Sequence, residues 1–279
     1  MELNYIQTKH DYLSRSADRM NNITEEEYWD NFWMHLSLPC RVNENFSNDH
    51  NISAFLKRYI PYGENRKIAL EIGCAPGKWM IYLSEVLNFH AEGCEYLISA
   101  AEKTKQNLQL CGISDAVIHQ GDFITYNFEN RSYDLILALG IIEHFNDPIP
   151  IIEKMVSLLN ADGILIIGIP KFTGLNYFIC KVVDRNLEYP LLPAHNLTIM
   201  NINFFIDLGK KCKIKRIHSD YIGGFEPDFF DISRSPIWFK LIFHAIRIVL
   251  TNRIFQKLNC CFYTGYIMAA YKKDNMGIH

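Results

Sequence analysis

Apolar and polar positions follow two different periods along the middle of the chain. Residues 68–72 form a short apolar run that ends in a glycine-containing turn, and residues 78–87 then place apolar side chains at helical spacing. A short apolar run bounded by a turn is typical of a buried parallel strand, and the longer period is typical of an amphipathic helix. Strands and helices continue to alternate from 67 to 169, which predicts an α/β fold with right-handed crossovers.

The turn after the first strand predicts a nucleoside site. Gly73 and Gly77 permit a tight turn, and the helix that follows aims its free N–H groups at a ligand. Glu95 ends a second predicted strand 22 residues after Gly73, where an acid typically receives ribose hydroxyls. A nicotinamide dinucleotide site would need Gly-x-Gly-x-x-Gly, but this loop has different spacing and places Pro76 where an N–H would face pyrophosphate. The pattern therefore favours another nucleoside cofactor.

The loop resembles motif I of the class I S-adenosylmethionine (SAM) methyltransferases. Glu71, Gly73 and Gly77 match that motif, while Ala75 replaces its middle glycine. Further segments resemble later motifs of the family in the family's order, at residues 121–123, 133–145 and 158–167. The Glu143-His144 pair is similar to the "EH" version of motif IV in ubiquinone-biosynthesis-type and related small-molecule methyltransferases, the type 11/12-like group.

This resemblance implies a Rossmann-like α/β fold with a seven-stranded sheet. The implied strand order is 3-2-1-4-5-7-6, with the last strand antiparallel and helices on both faces. The alternating pattern of residues 261–271 suits the seventh strand. We expect an N-terminal helical cap or lid over residues 1–64 and a methyltransferase domain over residues 65–279. Insertions on the acceptor side of that domain are expected at about 171–211 and 220–258.

The resemblance also implies SAM as the cofactor and assigns residues to it. The implied residues at the methionine end of the cofactor are Glu71, Gly73, Cys74, Ala75 and Gly77. Glu95 is implied at the ribose, and Asp122 and Phe123 are implied at the adenine. The floor of the cofactor site is implied to consist of Ala138, Leu139 and Gly140. A plain turn residue is the alternative for Asp122, and a neighbour of a helix N-cap is the alternative for Glu95.

Two histidines are candidates for a catalytic base. His144 follows strand four on the acceptor side, and the usual histidine pKa near 6.5 suits proton removal at neutral pH. His195 lies in the first acceptor-side insertion, ahead of a Phe204-Phe205 segment similar to one in the resembled group. A structural role is the alternative for each histidine, and the sequence leaves both open.

Bulk properties narrow the class of protein. A net charge of −3 and a pI of about 6.4 offer no global basic field for nucleic acid. The eight cysteines contain no Cys-x-x-Cys pair, so we predict neither a metal site nor a disulfide framework. The chain has no apolar signal-peptide core and no run of 18 uncharged apolar residues. These features predict a protein of the reducing cytoplasm.

Residues 236–258 predict a helix with a wide apolar surface. Lys240, His244 and Arg247 fall at i, i+4 and i+7 and therefore form a basic stripe on one face. The apolar surface could be covered by the domain or by a homodimer partner. It could instead be a lid for an apolar acceptor or rest on a membrane surface.

Three functions fit these observations. The first is a methyltransferase for a small-molecule acceptor, most plausibly a hydroxyl of a sugar, a lipid-linked intermediate or a specialised metabolite. An RNA methyltransferase is the alternative, since Ala-Pro-Gly in the loop and Lys171 after strand five resemble ribose-methylating enzymes; strand four, however, lacks their terminal Asp. A non-catalytic scaffold is the third reading, and the intact cofactor loop argues against it.

Overall fold

The sheet of this protein has the predicted order. The computed structural model describes residues 22–24, 26–34, 36–61, 63, 65–256, 258 and 260–273. Its strands are β1 Lys67–Ile72, β2 Phe89–Glu95, β3 Val117–Gln120, β4 Tyr133–Leu139, β5 Leu159–Pro170, β6 Ile214–Ile222 and β7 Tyr266–Lys273. They form one sheet in the order β3-β2-β1-β4-β5-β7-β6, where β7 runs antiparallel to both of its neighbours and the other pairs are parallel. The predicted topology is therefore confirmed.

Helices cover both faces of this sheet. Their bounds are α1 Glu26–Met34, α2 Ser47–Tyr59, α3 Lys78–Glu85, α4 Ile98–Leu110, α5 Ile149–Ser157, α6 Leu175–Val183, α7 Ile202–Lys211, α8 Ile237–Leu250 and α9 Arg253–Gln256. One apolar cluster joins the sheet to α5, α6, α7 and α8, and a second joins its other face to α2, α3 and α4.

Strand β4 shows why the central strands are apolar throughout. Leu135 and Leu137 belong to the cluster on the α3 side, whereas Ile136 and Ala138 belong to the cluster on the α5 side. Successive side chains of a strand point to opposite faces, so a strand covered on both faces needs an unbroken apolar run. The run that predicted β4 is a direct consequence of this double burial.

Two predicted boundaries are wrong. The seventh strand begins at Tyr266 rather than at residue 261, because residues 260–264 close a turn in which the Thr264 N–H donates to the Cys260 carbonyl at 3.0 Å. The segment 236–258 is also not one helix. The Thr251 hydroxyl donates back to the Arg247 carbonyl as α8 ends, and the Asn252 side chain then accepts the Ile254 N–H at 3.1 Å to start α9.

Across the described ranges, no helix is both long enough and apolar enough to span a bilayer.

Candidate active site

The loop between β1 and α3 is held in a shape that needs glycine at both ends. Gly73 has φ +63° and Gly77 has φ +88°, in the left-handed region. The Gly73 N–H donates to the Cys94 carbonyl at 2.8 Å, which ties the loop to the end of β2. A Cβ at Gly73 would lie 2.2 Å from Cδ1 of Ile141, so the space above this glycine is already taken by an apolar side chain.

Glu71 lies beneath the loop rather than on its surface. Its side chain is buried, and the Met80 N–H in the first turn of α3 donates to the carboxylate. Burial raises the pKa of Glu71 well above its ordinary range, although nearby Lys78 opposes that shift. Glu71 thus braces the N-terminus of the helix whose free N–H groups face the loop.

Glu95 joins the end of β2 to the same loop. Its carboxylate accepts the Leu97 N–H at 3.1 Å and the N–H groups of Ala75 and Tyr96. Burial nevertheless raises the pKa of Glu95. Glu95, which is predicted to bind the ribose, is therefore a neighbour of the loop residue Ala75, as binding of one cofactor by both would require.

Asp122 and Phe123 follow β3 and differ in exposure. The Gly121 N–H donates to the Glu95 carbonyl at 2.9 Å, which places this turn beside the end of β2. Asp122 is exposed and accepts the Ile124 N–H at 2.9 Å. Phe123 is buried, with its ring 5.7 Å from that of Phe128. Asp122 is thus both a turn residue and a side chain open to a ligand.

The predicted floor lies at the carboxyl end of β4. Ala138 is fully buried and pairs with Ile72 on one side and Ile167 on the other. Gly140 has φ +72°, and its N–H donates to the Gly168 carbonyl at 2.8 Å. The carboxyl ends of β3, β2, β1 and β4 are adjacent in the sheet, so all the predicted cofactor residues lie along one edge.

Helix α1 lies over this edge. Trp29, Trp33 and Tyr96 pack against Ala75, Leu97 and Ala100, which form a small apolar cluster at the cofactor loop. The segment before α1 reaches the predicted acceptor side, where the Ile23 N–H donates to the His144 carbonyl at 2.7 Å. Side chains of Asn31, Phe32 and Met34 lie outside the described residues, as does residue 25, so the apolar side of this helix is described here through its two tryptophans.

The two candidate histidines lie together although they are 51 residues apart in the chain. Their ring centroids are 4.6 Å apart. Nδ1 of His144 is 2.8 Å from the Ala194 carbonyl, and Nδ1 of His195 is 2.6 Å from the Leu191 carbonyl. Because a carbonyl oxygen can only accept, each Nδ1 carries the proton and each Nε2 is a lone-pair acceptor.

Both imidazoles are held neutral. Burial lowers the pKa of His144 to about 3, and the neighbouring His195 adds to this effect. Burial also lowers the pKa of His195 to about 4. A neutral imidazole with so low a pKa is a weak proton acceptor, so these side chains are better suited to orienting a ligand than to removing a proton alone.

Glu143 is the buried acid beside these histidines. It is 0% exposed, and Oε1 lies 3.9 Å from Nε2 of His144, too far for a hydrogen bond. Burial raises the pKa of Glu143 to about 8. An ideal Cβ at Gly140 would be 3.6 Å from Oε1, which places the carboxylate at the edge of the floor.

Comparison with known proteins identifies the family. A family model described as a methyltransferase domain matches residues 46–195, more than half of the chain and the whole stretch from the start of α2 to His195. The chain belongs to this methyltransferase domain family. Membership confirms the predicted cofactor, SAM, and the general class of enzyme. The individual cofactor-binding and catalytic residues remain predictions.

A curated protein is similar to part of this methyltransferase. The tRNA U34 carboxymethyltransferase of Campylobacter lari is 26% identical over 181 residues, which cover 60% of this chain and 55% of that protein. The chain thus spans about half the length of this curated relative.

Solved structures share the fold of the methyltransferase. Phosphoethanolamine N-methyltransferase 2 of Haemonchus contortus, in complex with SAM, aligns with a TM-score of 0.54 at 14% identity, over 79% of this chain and 51% of that one. A protein of Bacillus halodurans described as a methyltransferase aligns with a TM-score of 0.57 at 11% identity, over 80% of this chain and 99% of that one.

A cavity opens near the end of β6, on the same edge of the sheet. Its volume is about 640 Å³, and its lining includes Ser47, Glu226 and Arg247. Glu226 is buried and accepts the Ser47 hydroxyl at 2.6 Å, and burial raises its pKa to about 7. Of these side chains, Glu226 and Arg247 lie outside the family match and within the second predicted insertion, whereas Ser47 lies inside the match.

Sequence reasoning did not place Glu143 or Trp29 among the site residues of the methyltransferase. The adjacency of Glu143 to His144 was the available signal for the acid, but an acid in a turn is usually solvated. For Trp29 the signal was the aromatic face of a short helix, whose docking surface cannot be identified without the fold.

Proposed function

We propose that this methyltransferase acts on a hydroxyl of a small molecule, such as a sugar, a lipid-linked intermediate or a specialised metabolite. In that reaction an oxygen lone pair forms the new O–CH₃ bond while the S–CH₃ bond of SAM breaks. The electron pair of the broken bond stays on sulfur, and the hydroxyl proton is released to solvent. The sulfonium supplies the driving force, so the protein mainly positions the acceptor.

The observation that carries this proposal is the pair of neutral imidazoles beside the floor. Each Nδ1–H is used by a backbone carbonyl, so each Nε2 can accept a hydrogen bond from an acceptor hydroxyl. Such a bond would point the oxygen lone pairs away from the histidines and toward the methyl group. The cavity beside Glu226 would also offer the side chains of Ser47 and Arg247 to polar groups of an acceptor.

The first test is calorimetric titration of S-adenosylhomocysteine into the full chain, with NAD as the control ligand. Gly73→Arg should abolish binding, because its side chain would enter the space held by Ile141 and the loop. Binding to the wild-type chain would then justify screening acceptors with methyl-labelled SAM. A wild-type chain that binds no S-adenosylhomocysteine would favour the scaffold reading instead.

A nucleoside in tRNA is the second candidate acceptor. The similarity to the tRNA U34 carboxymethyltransferase of Campylobacter lari favours it, whereas the net charge of −3 does not. Labelled methyl transfer into total tRNA, compared with transfer into a nuclease-treated extract, separates the candidates. Label that becomes acid-precipitable only with intact tRNA would replace the small-molecule proposal.

We further propose that α8 rests on an anionic membrane surface. Phe239 and Phe243 of this helix are buried against the domain, but another face is strongly exposed: Ile237 is 78%, Leu241 66% and Ile248 74% exposed. The helix contains no acidic residue. An apolar face bordered by cations matches the acyl chains and anionic head groups of a lipid surface.

Co-sedimentation with vesicles tests this contact. The wild-type chain should sediment with phosphatidylglycerol vesicles and less with phosphatidylcholine ones, and Lys240→Glu combined with Arg247→Glu should abolish sedimentation. Lys105→Glu on α4 is the matched control, since Lys105 is exposed and remote from α8 in the chain. If the double variant sediments with the vesicles as strongly as the wild type, the proposed membrane contact is rejected. The contact is also rejected if light scattering shows that the wild type is a homodimer and that Leu241→Ser converts it to a monomer.

A further inference from the structure

Three side chains that can ligate a metal converge next to the cofactor floor. Glu143, His144 and His195 are all buried, and each offers one ligand atom within 4.8 Å of the others. Metal ligands about 2.1 Å from a common ion lie roughly 3–4 Å apart, so the most widely separated pair would have to approach by about 1–2 Å when an ion binds. Side chains from two distant segments meet here, since Glu143 and His144 follow β4 and His195 follows α6.

The imidazoles are oriented as metal ligands are. Each donates its Nδ1–H to a backbone carbonyl, Ala194 for His144 and Leu191 for His195. Such an outer hydrogen bond fixes the tautomer and the ring orientation and leaves Nε2 as the donor atom for an ion. Aromatic rings packed against both imidazoles restrain them further. The ring centroid of Trp29 lies 4.7 Å from that of His144, and the ring centroid of Phe172 lies 4.8 Å from that of His195.

The carboxylate gives the second, independent observation. Both oxygens of Glu143 are buried, and neither has a hydrogen-bond partner within the described residues. A buried carboxylate without partners is costly, and one proton would satisfy at most one oxygen. A cation held between Glu143 and the two Nε2 atoms would satisfy all three side chains at once.

We propose that Glu143, His144 and His195 bind a divalent transition-metal ion of the Zn²⁺ type. Two imidazoles and one carboxylate suit Zn²⁺, Co²⁺ or Fe²⁺ better than Mg²⁺ or Ca²⁺, which prefer oxygen ligands. Three protein ligands also leave a coordination position open, as in catalytic rather than structural sites. This proposal departs from the sequence prediction of no metal site, which rested on the cysteines alone.

The open position points to the acceptor, and this step rests on the proposed function. A hydroxyl oxygen bound to the ion would lose its proton to solvent more readily, and it would then form the O–CH₃ bond as the S–CH₃ bond breaks. With the ion bound, both Nε2 lone pairs would hold the metal, so the acceptor hydroxyl would be oriented by the ion in place of direct hydrogen bonds to the imidazoles. The acceptor class is therefore a hydroxyl able to reach a metal at the edge of the floor.

Cobalt binding tests the site without an activity assay. Tag-free full chain is stripped with a chelator and titrated with Co²⁺ and Zn²⁺ by calorimetry and by visible absorption. We expect one equivalent with the absorption of a nitrogen and oxygen ligand set, and no thiolate charge-transfer band. Glu143→Gln and His195→Gln keep the side-chain size and should weaken binding about 100-fold. His218→Gln, on β6, and Cys261→Ser are controls that should bind as the wild type does.

The outcomes separate this site from the proposed function. A stripped chain that binds S-adenosylhomocysteine but no Co²⁺ would overturn the metal site and leave the methyltransferase assignment standing. Equal Co²⁺ binding by wild type and Glu143→Gln would also overturn it. The spectrum of the wild-type chain alone decides the ligand set if either variant fails to fold. Loss of S-adenosylhomocysteine binding in Glu143→Gln, without Co²⁺ binding to wild type, would assign the acid to the cofactor instead.

Discussion

Gly73 is constrained both by its positive φ and by the lack of space for a side chain, and a comparison with Gly112 separates these two effects. Ala at this position would have to adopt φ +63° and would also place its Cβ 2.2 Å from Cδ1 of Ile141. Gly112 has a similar φ of +79° but nothing within 4 Å of an added Cβ. We therefore expect Gly112→Ala to lower the free energy of unfolding by about 1 kcal/mol and Gly73→Ala by about 2–4 kcal/mol, measured by urea titration.

Ile141 supplies the matched test of this explanation. In the Gly73→Ala background, Ile141→Ala should recover part of the lost stability because it removes the clashing Cδ1, although alone it should be destabilising. S-adenosylhomocysteine affinity should follow the same pattern. A double variant whose losses simply add would show that Ile141 does not constrain the loop.

Residue-scale prediction from sequence was strongest where a backbone shape demands one residue type. Gly73 and Gly77 have positive φ, and no other residue type adopts that shape as easily, so spacing alone found them. The pKa values of His144 and His195 were not predictable, because both depend on burial by segments that are distant in the chain. Glu143 is similar, since its isolation follows from packing rather than from its neighbours in sequence.

At the scale of elements, α1 packs over the predicted cofactor loop, and we propose that it retains the cofactor. Trp29 packs in the apolar cluster of Ala75 and contacts the ring of His144, so it spans the cofactor loop and the acceptor side. We expect Trp29→Ala to weaken S-adenosylhomocysteine binding about 10-fold, mainly through faster dissociation, which stopped-flow fluorescence can measure.

Trp238→Ala on α8 is the control for this experiment. Trp238 is exposed and lies on the helix proposed to contact membrane, so its loss should leave dissociation of S-adenosylhomocysteine unchanged. Equal effects of the two substitutions would point to a general loss of stability. An unchanged dissociation rate in Trp29→Ala would reject α1 as a lid.

Some element boundaries could be predicted from the sequence and others could not, depending on whether local or tertiary contacts set them. The start of α7 was predictable because Asn201 accepts the Phe204 N–H at 3.0 Å, a local N-cap. The late start of β7 was not, because residues 260–264 alternate like a strand, while a tertiary bond holds them elsewhere: the Leu175 N–H donates to the Phe262 carbonyl at 2.7 Å. Alternation reports which residues could form a strand, not which ones find a partner strand.

For the whole molecule, the motifs predicted the order of strands in the sheet, but they did not predict which buried polar contacts stabilise it. The apolar periodicity of the core fixes which faces are covered, and the chain order of strands and helices limits the crossovers. A buried cluster of ionisable side chains around Glu92 had no sequence signature, because its members come from separate segments of the chain. It joins β2, β3 and β4 through the carboxylate of Glu92, which accepts from His119 at 2.6 Å, Arg131 at 2.5 Å and Tyr133 at 2.9 Å.

The Glu92 cluster predicts how the stability of the molecule depends on pH. Burial alone would raise the pKa of Glu92, but the hydrogen bonds from His119 and Tyr133 outweigh it and lower the pKa below its ordinary value. A folded-state pKa below the unfolded one stabilises the folded chain above the unfolded pKa, near 4.3, and that contribution is lost as the pH falls through the folded pKa. Glu92→Gln should therefore cost about 1–3 kcal/mol at pH 7 and progressively less below pH 4.

Urea unfolding of wild type and variant at several pH values measures this difference directly. Glu85→Gln is the matched control, because Glu85 is exposed and pairs only at the surface with Arg41; it should change stability by less than about 1 kcal/mol at pH 7. A gap between wild type and Glu92→Gln that stays constant as the pH falls would mean that charge on Glu92 does not stabilise the fold. A narrowing gap would instead show that one buried carboxylate couples three strands of the sheet to the proton concentration.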